Sequence, residues 1–485
     1  MMPLEEWIAA ETTVAGTAML GAISATHLLM ERPGFAQRVV PRPGSVLASP
    51  VPAHYDPDPD YFFHWFRDSA IVIDALRVAF AQGSLGSVAV TRLGEFVQFS
   101  LGLRSLDGRV FLRAANLYAR VQSAYRKFVR PEAELAALAG PEVALDARVN
   151  ADGTPDFLRW GRPQLDGPAL RCLALLRWWR ELRAPPPALH AALAELIASD
   201  LELTLASVDR ACFDIWEEHS GYHYYTQLLQ AEALQSGAVW LDASGQPQRA
   251  DACEAAAQRI APRLEAMWSE TEGFYRSSLP ATPVDGTGRL DSAVILGVLH
   301  ACRARGMHSL LDPRVQATLA VLEELFGAEY AINRDRTPER GPAMGRYAHD
   351  RYYSGGAYYF ATLAAAEFYF RLSAALRSGE ELPAEPRNRR FRERLRGASA
   401  PVDAERLGLA ALAFERGDTF LRTVRAFTPA SGELSEQFDR TTGAQTSARH
   451  LAWSYAAFIT AAASRTQACR ASPGSGSVTP AAGTA

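Results

Sequence analysis

Three short segments of this chain place carboxylic acids among aromatic rings: 59–69 (Pro-Asp-Tyr-Phe-Phe-His-Trp-Phe-Arg-Asp-Ser), 213–219 (Phe-Asp-Ile-Trp-Glu-Glu-His) and 434–439 (Leu-Ser-Glu-Gln-Phe-Asp). A fourth, 160–167 (Trp-Gly-Arg-Pro-Gln-Leu-Asp-Gly), sets Trp160 and Arg162 in a tight turn. This mixture suits a sugar, whose apolar face stacks on rings and whose hydroxyls take bidentate charged partners. Cleaving a glycosidic bond needs one protonated carboxyl for the leaving oxygen and one ionised carboxyl as base or nucleophile. Glu217 or Glu218, beside Trp216, can supply the first, because an apolar neighbour and a second acid both raise a carboxyl pKa. Glu436 can supply the second. Each motif alone is ordinary: Trp-Glu-Glu is common on solvated helix starts, and an adjacent Arg67-Asp68 is usually a surface ion pair. The argument rests on their joint occurrence.

Other chemistries have less support. His219 and His223 are four apart, as helix metal ligands can be, but there is no HExxH and Gly221 disfavours a regular helix between them. No metal site is expected. GxSxG is absent, and the glycines at 345, 355 and 356 form no GxGxxG. No cofactor is expected. Lys127 is the only lysine and lies outside any Gly-rich loop, so P-loop chemistry is unsupported.

The rest of the composition bounds the protein. With 48% hydrophobic and 21% charged residues over 485 positions, the chain is globular and can bury a large core. Fifty basic against 54 acidic residues leave no excess for a phosphate backbone, so no nucleic-acid partner is expected. Five widely spaced cysteines without a CxxC fit a reducing compartment. The N-terminal segment lacks a basic n-region and carries Glu5, Glu6 and Glu11, so neither a secretory signal nor a membrane span is expected. These features predict a soluble, cytoplasmic protein.

The elements that must position the acids are helical. Apolar spacing of three and four predicts helices over 5–30, 71–81, 91–101, 117–128, 169–182, 187–207, 222–236, 250–268, 291–303, 313–326, 356–375, 404–416 and 450–463. Only short runs such as 109–112 suggest strands. Between the helices lie long loops rich in Gly, Pro and aromatics, at 32–66, 144–166, 269–290 and 329–353, and such loops are usually functional. Residues 471–485 read as a disordered tail. About twelve helices with long loops suit a helical barrel, although an irregular bundle gives the same periodicity.

At this point the chain resembles the glucoamylases of glycoside hydrolase family 15, their fungal type above all. The matching blocks are EEWIAAETTVAGTAMLGAI, SVLASPVPAHYDPDPDYFFHWFRDSAIVIDAL, LRWGRPQLDGPALR, DIWEEHSGYHYYTQLLQAEAL, GRYAHDRYYSGGAYYFATLAAAEFYF and LSEQFDRTTGAQTSARHLAWSYAAFITA, in the family's order over about residues 5–463. The resemblance implies an all-α (α/α)6 barrel with an active-site pocket at one end, and one catalytic domain over 1–470. It further implies exo-acting, inverting release of β-D-glucose from non-reducing ends of α-1,4-glucans.

Roles implied by the resemblance fall on matching positions. Glu217 corresponds to the general acid and Glu436 to the general base. Tyr61 and Gln437 correspond to residues near the attacking water; Arg67, Asp68 and Arg346 to residues holding the terminal glucose; Trp65, Trp160 and Trp453 to the aromatic walls. Glu218 corresponds to a contact of the next sugar, and Asp214 and Trp216 to supports of the acid; Arg162 joins the candidate sugar contacts. The chain departs from the family at Leu165 (often Arg), His450 (often Asp), His219 (a small apolar residue) and Tyr358 (Trp in fungal members). These departures lie mostly outside the first sugar subsite and imply altered chain-length preference with hydrolysis kept. Soluble maltooligosaccharides or glycogen ends are the expected substrates, since no starch-binding module follows the barrel. Trehalose, isomaltose or dextran hydrolysis on the same barrel, and a non-catalytic glucan-binding protein, are the alternatives.

Overall fold

A computed structural model describes residues 2–55, 57–280, 290–396 and 406–471. Twelve long helices of these residues form two concentric rings. The outer ring comprises α1 (Leu4–Ala22), α3 (Ser87–Leu103), α5 (Pro187–Ser207), α7 (Pro247–Ala266), α9 (Pro313–Glu329) and α11 (Arg406–Phe427). The inner ring comprises α2 (Phe66–Ala81), α4 (Asp166–Glu181), α6 (Tyr224–Ala243), α8 (Ala293–Ala301), α10 (Tyr359–Arg377) and α12 (Ala452–Arg470). Each inner helix packs on the next, α2 on α4, then α6, α8, α10 and α12, and α12 returns to α2. This closed ring inside a second ring is the (α/α)6 barrel.

The sequence dictates which helices go inside. Along α10, 16 residues from Tyr359 to Leu376 are buried on every side, with alanines allowing neighbours to approach. A helix apolar all round can only be a core element. On α7 the buried set is Ala250, Cys253, Ala256, Ala257, Ile260 and Leu264, a single stripe at helical spacing with a polar outer face. Among the described residues, no helix is long and apolar enough to cross a membrane.

Some boundaries differ from those expected. The first helix stops at Ala22 rather than continuing to 30; Met30–Arg32 instead pairs antiparallel with Gln37–Val39. The expected strand at 109–112 is a helix, Gly108–Ala115, because the Asp107 side chain accepts from the N–H groups of Arg109 and Val110 and caps it. The helix expected over 117–128 breaks into the turn Leu117–Arg120 and the 3-10 segment Ser123–Phe128. The tail expected at 471–485 lies, beyond Ala471, outside the described residues.

All six inner helices begin at one end of the barrel. There the long loops are stapled by two- and three-residue strand pairs. His64 and Trp65 pair with Val149 and Arg148. Ala357 and Tyr358 pair with Phe438 and Gln437. These ladders hold the acid-bearing loops over the barrel mouth.

Candidate active site

A cavity opens at this mouth, lined chiefly by the residues that precede or begin the inner helices. Before α2 come Tyr61 and Trp65, and its first turn supplies Arg67 and Asp68. The loop before α4 supplies Trp160, and that before α6 supplies Ile215, Trp216 and Glu217. Arg346, Tyr352 and Phe360 come from the approach to α10, and Glu436, Leu451 and Trp453 from the approach to α12. Phe360 and Trp453 stack at 4.2 Å and 8° and close the floor. Helix N-termini carry partial positive charge, which favours the anionic groups gathered over them.

Glu217 is held from both sides. Its Oε1 accepts from Trp65 Nε1 at 2.8 Å and from Arg67 Nη2 at 3.1 Å; its Oε2 accepts from Trp160 Nε1 at 2.5 Å. Its backbone is left-handed, with φ +66°, a conformation that costs a non-glycine residue about 1–3 kcal/mol unless its surroundings enforce it. Enforcement comes from the Asp214 turn: Glu217 N–H donates to the Asp214 carbonyl at 3.0 Å, and Glu218 N–H donates to Asp214 Oδ1 at 2.8 Å. Gly161 is needed against this turn, since a Cβ there would lie 2.5 Å from the Glu217 carbonyl oxygen.

Glu436 faces Glu217 from the other side of the ring. The two precede α6 and α12, the third and sixth helices of a six-membered inner ring. Ser447 Oγ donates to Glu436 Oε2, and Tyr61 OH, 2.7 Å from Tyr352 OH, lies 3.3 Å from Oε1. Burial pushes the Glu436 carboxyl up to about 7, against the pull of Ser447, Arg346 and Tyr61. Asp68 is likewise raised by burial, to about 6, although Arg67 opposes it from 3.2 Å.

Arg346 anchors the third wall. It bridges Asp350, with Nε to Oδ2 at 2.7 Å, and Glu218, with Nη2 to Oε1 at 3.0 Å. Tyr347 OH donates to the other Glu218 oxygen. Trp216 packs beneath the Arg346 guanidinium and donates its indole N–H to Asp291 at 2.8 Å. Burial raises the Asp291 carboxyl to about 8.

Of the sequence candidates, Tyr61, Trp65, Arg67, Asp68, Trp160, Trp216, Glu217, Arg346, Glu436 and Trp453 line this one cavity. Glu218 and Asp214 line the adjoining one. Two candidates sit elsewhere. Arg162 is committed to Asp146 and Asp156 and to the Leu158 carbonyl, behind the wall. Gln437 also points away, because successive residues of a strand face opposite sides. Its amide binds the Tyr352 carbonyl, Tyr358 OH and Ser354 Oγ. Sequence reasoning missed Tyr352, Tyr347, Asp350 and Ser447. The first three lie in the aromatic stretch 346–353 and were findable there; Ser447 carries no local signal.

The family model described as "Glycosyl hydrolases family 15" matches residues 34–463. The chain is 30% identical over 451 residues to "Glucoamylase-1" of Arthroderma benhamiae, covering 89% of this chain and 66% of that protein. It therefore spans just under two thirds of that relative's length. It is 28% identical over 458 residues to "Glucoamylase, intracellular sporulation-specific" of Saccharomyces cerevisiae, covering 86% and 77%. Its fold is similar to the solved structure of Hormoconis resinae glucoamylase, with TM-score 0.77 and 26% identity over 97% of this chain and 76% of that one.

Proposed function

The chain belongs to glycosyl hydrolase family 15, and from that premise we propose that it removes glucose from the non-reducing ends of α-1,4-glucans, with inversion to β-D-glucose. Arg67, Asp68 and Arg346 bind the terminal sugar, and Trp65, Trp160 and Trp453 cover its apolar surfaces. Glu217 protonates the glycosidic oxygen. Glu436 takes a proton from a water attacking C1 on the opposite face, beside Tyr61. Inversion requires the carboxyls to flank the bond with room for that water, about 6.5–9.5 Å apart. Their origin on opposite inner helices supports such an arrangement. The observation that carries the reading is the pairing of two acids in one cavity that also holds a buried, unpartnered indole N–H. Trp453 Nε1 has no protein hydrogen-bond partner, and a buried polar atom left so is costly unless a ligand uses it.

Glu436 must work ionised although burial holds it near 7. The pH profile should be bell-shaped, since the mechanism needs one protonated and one ionised carboxyl. We also assign residues 1–470 to one catalytic domain and the protein to the cytoplasm, for which the five unpaired cysteines and the intracellular relative are support.

The test is proton NMR of the anomers released from maltose, maltoheptaose and trehalose in the first minutes. β-Glucose first from the maltooligosaccharides is expected. α-Glucose first overturns the mechanism, release from trehalose alone moves the specificity, and glucan binding without turnover makes this a binding protein. Glu217→Gln should keep activity on α-glucosyl fluoride, whose leaving group needs no proton, while Glu436→Gln should not. The reverse pattern exchanges the two roles.

A further inference from the structure

Arg148 is a fully buried cation with an unusual set of partners. Its Nε donates to Asp156 Oδ2 at 2.8 Å, but Nη1 and Nη2 have no hydrogen-bond partner. In their place are ring faces. The guanidinium carbon lies 3.8 Å from the centre of Trp160, 4.4 Å from Trp65 and 4.0 Å from Phe63. The β-pair register places Arg148 directly opposite Trp65. Arg162, the residue displaced from the sugar cavity, shares Asp156 with it. Burying a guanidinium is costly even when a carboxylate pairs with one of its nitrogens, and two of its nitrogens have no such partner here. Apolar packing would therefore have favoured Met or Leu at this position unless the charge is used.

The two indoles it touches are the ones that donate to Glu217, one to each carboxylate oxygen. A cation on an indole face withdraws electron density from the ring. The N–H at the ring edge then becomes a stronger donor. We propose that Arg148 is a positioning residue for Glu217: it clamps Trp65 and Trp160 from behind and strengthens both indole N–H donors to that carboxylate. This rests on reading Glu217 as the acid. Arg148 touches neither the sugar nor the Glu217 carboxyl and acts on them only through the rings and its field.

Other charges face Glu217: Arg67 and Asp68 from α2, Asp166 from α4, and Tyr61 and Tyr352 from the loops. Arg148 itself faces Asp156 and Tyr55. None of these is removed when Arg148 is changed. A neutral side chain at 148 therefore stabilises protonated Glu217 relative to its carboxylate and leaves Glu436 untouched.

The test is the normalised kcat/KM profile on maltose for Arg148→Met, Arg148→Gln and Arg148→Lys. The neutral variants should hold the wild-type shape on the acid side and move the alkaline limb up by on the order of half to one pH unit. Arg148→Lys should keep the limb near its wild-type position. In 15N spectra, the indole N–H signals lost in Trp65→Phe and Trp160→Phe should move upfield in the neutral variants. A uniform fall in rate with unmoved limbs and unmoved indole signals would make Arg148 merely structural and overturn the proposal. So would failure of both neutral variants to fold while Arg148→Lys folds, since the charge would then serve stability. Wild type without hydrolysis, or Glu217→Gln with full activity on maltose, sinks the reading of the site instead. The indole signals still judge the clamp in that case.

Discussion

Replacing Ser447 with alanine isolates the ionisation of Glu436, the proposed base. Ser447 Oγ is the closest donor to Glu436, and the Tyr61 hydroxyl is the other, at 3.3 Å and shared with Tyr352. Burial already pushes this carboxyl to about 7, and Ser447 is the largest influence restraining it. A hydrogen bond to a charged group contributes about 1.5–3 kcal/mol, and 1.36 kcal/mol corresponds to one pKa unit. The full loss is thus about one to two units, and water entering the vacated space reduces it to about one. In the proposed mechanism only ionised Glu436 is productive, so the variant holds more of its base protonated at every pH below that value. The sign follows: kcat/KM on maltose at pH 4–5 should fall about tenfold, and the two profiles should converge on the alkaline side, where both enzymes have Glu436 ionised. Glucose release assayed from pH 4 to 9 decides it. Equal loss at all pH values would mean that Ser447 serves geometry alone. A gain on the acid side would refute the assignment of Glu436 as base.

Further outcomes can be checked independently. Asp68→Asn should cut kcat/KM about 100-fold, since the proposed charged partner of the sugar hydroxyls is replaced by a neutral one; initial rates on maltose test this. Gly161→Ala should also cost about 100-fold in kcat with the fold retained, because its Cβ meets the Glu217 carbonyl at 2.5 Å and Phe213 Cδ1 at 2.8 Å, and small displacements of a catalytic group are expensive. An alanine variant with normal kcat would show that the Glu217 turn is not held by this contact. Glu11, buried in α1 with Oε1 unpartnered, is raised from 4.5 to about 7 by burial. Such a carboxyl contributes fully below its unfolded value and loses stability as pH rises toward its folded one. Glu11→Gln should therefore stabilise the protein by about 2 kcal/mol at pH 8 and hardly at all at pH 5, read from urea melts at both.

What could be read from the sequence depended on the range of each interaction. The helices declare themselves locally, because which face of α7 is buried is written at three- and four-residue spacing. The acids and walls of the cavity were legible because three of the aromatic–acidic segments each contribute side chains that stay on the cavity side. Gln437 failed for a local reason: it follows Glu436 in a short strand, and pleating turns it behind the wall. Arg162 failed for a distant one. Asp146 and Asp156, invisible as partners in the linear chain, bind it more closely than a sugar could. Ser447 was illegible because its role exists only once the loop after Glu436 folds back, pairing Gln437 and Phe438 with Thr446 and Gln445.

The asymmetry of the connections explains why the chemistry gathers at one end. From inner to outer helices the chain turns over 82–86, 182–186 and 244–246, with longer links only at 302–312 and 378–405. From outer to inner helices it takes 23–65, 104–165, 208–223, 267–292, 330–358 and 428–451. A ring of alternating helices needs every outer-to-inner link on the same face, so length added there accumulates around one axis. Six converging loops can then hold acids from opposite sides of a single cavity, as the links before α6 and α12 do with Glu217 and Glu436. The Phe360–Trp453 stack lies below this cavity and the loops surround it above, which suits the chain-end binding proposed for it. On this reasoning, the proposed exo-action rests on where the barrel puts its long loops, and the proposed inversion on which two of them carry the acids.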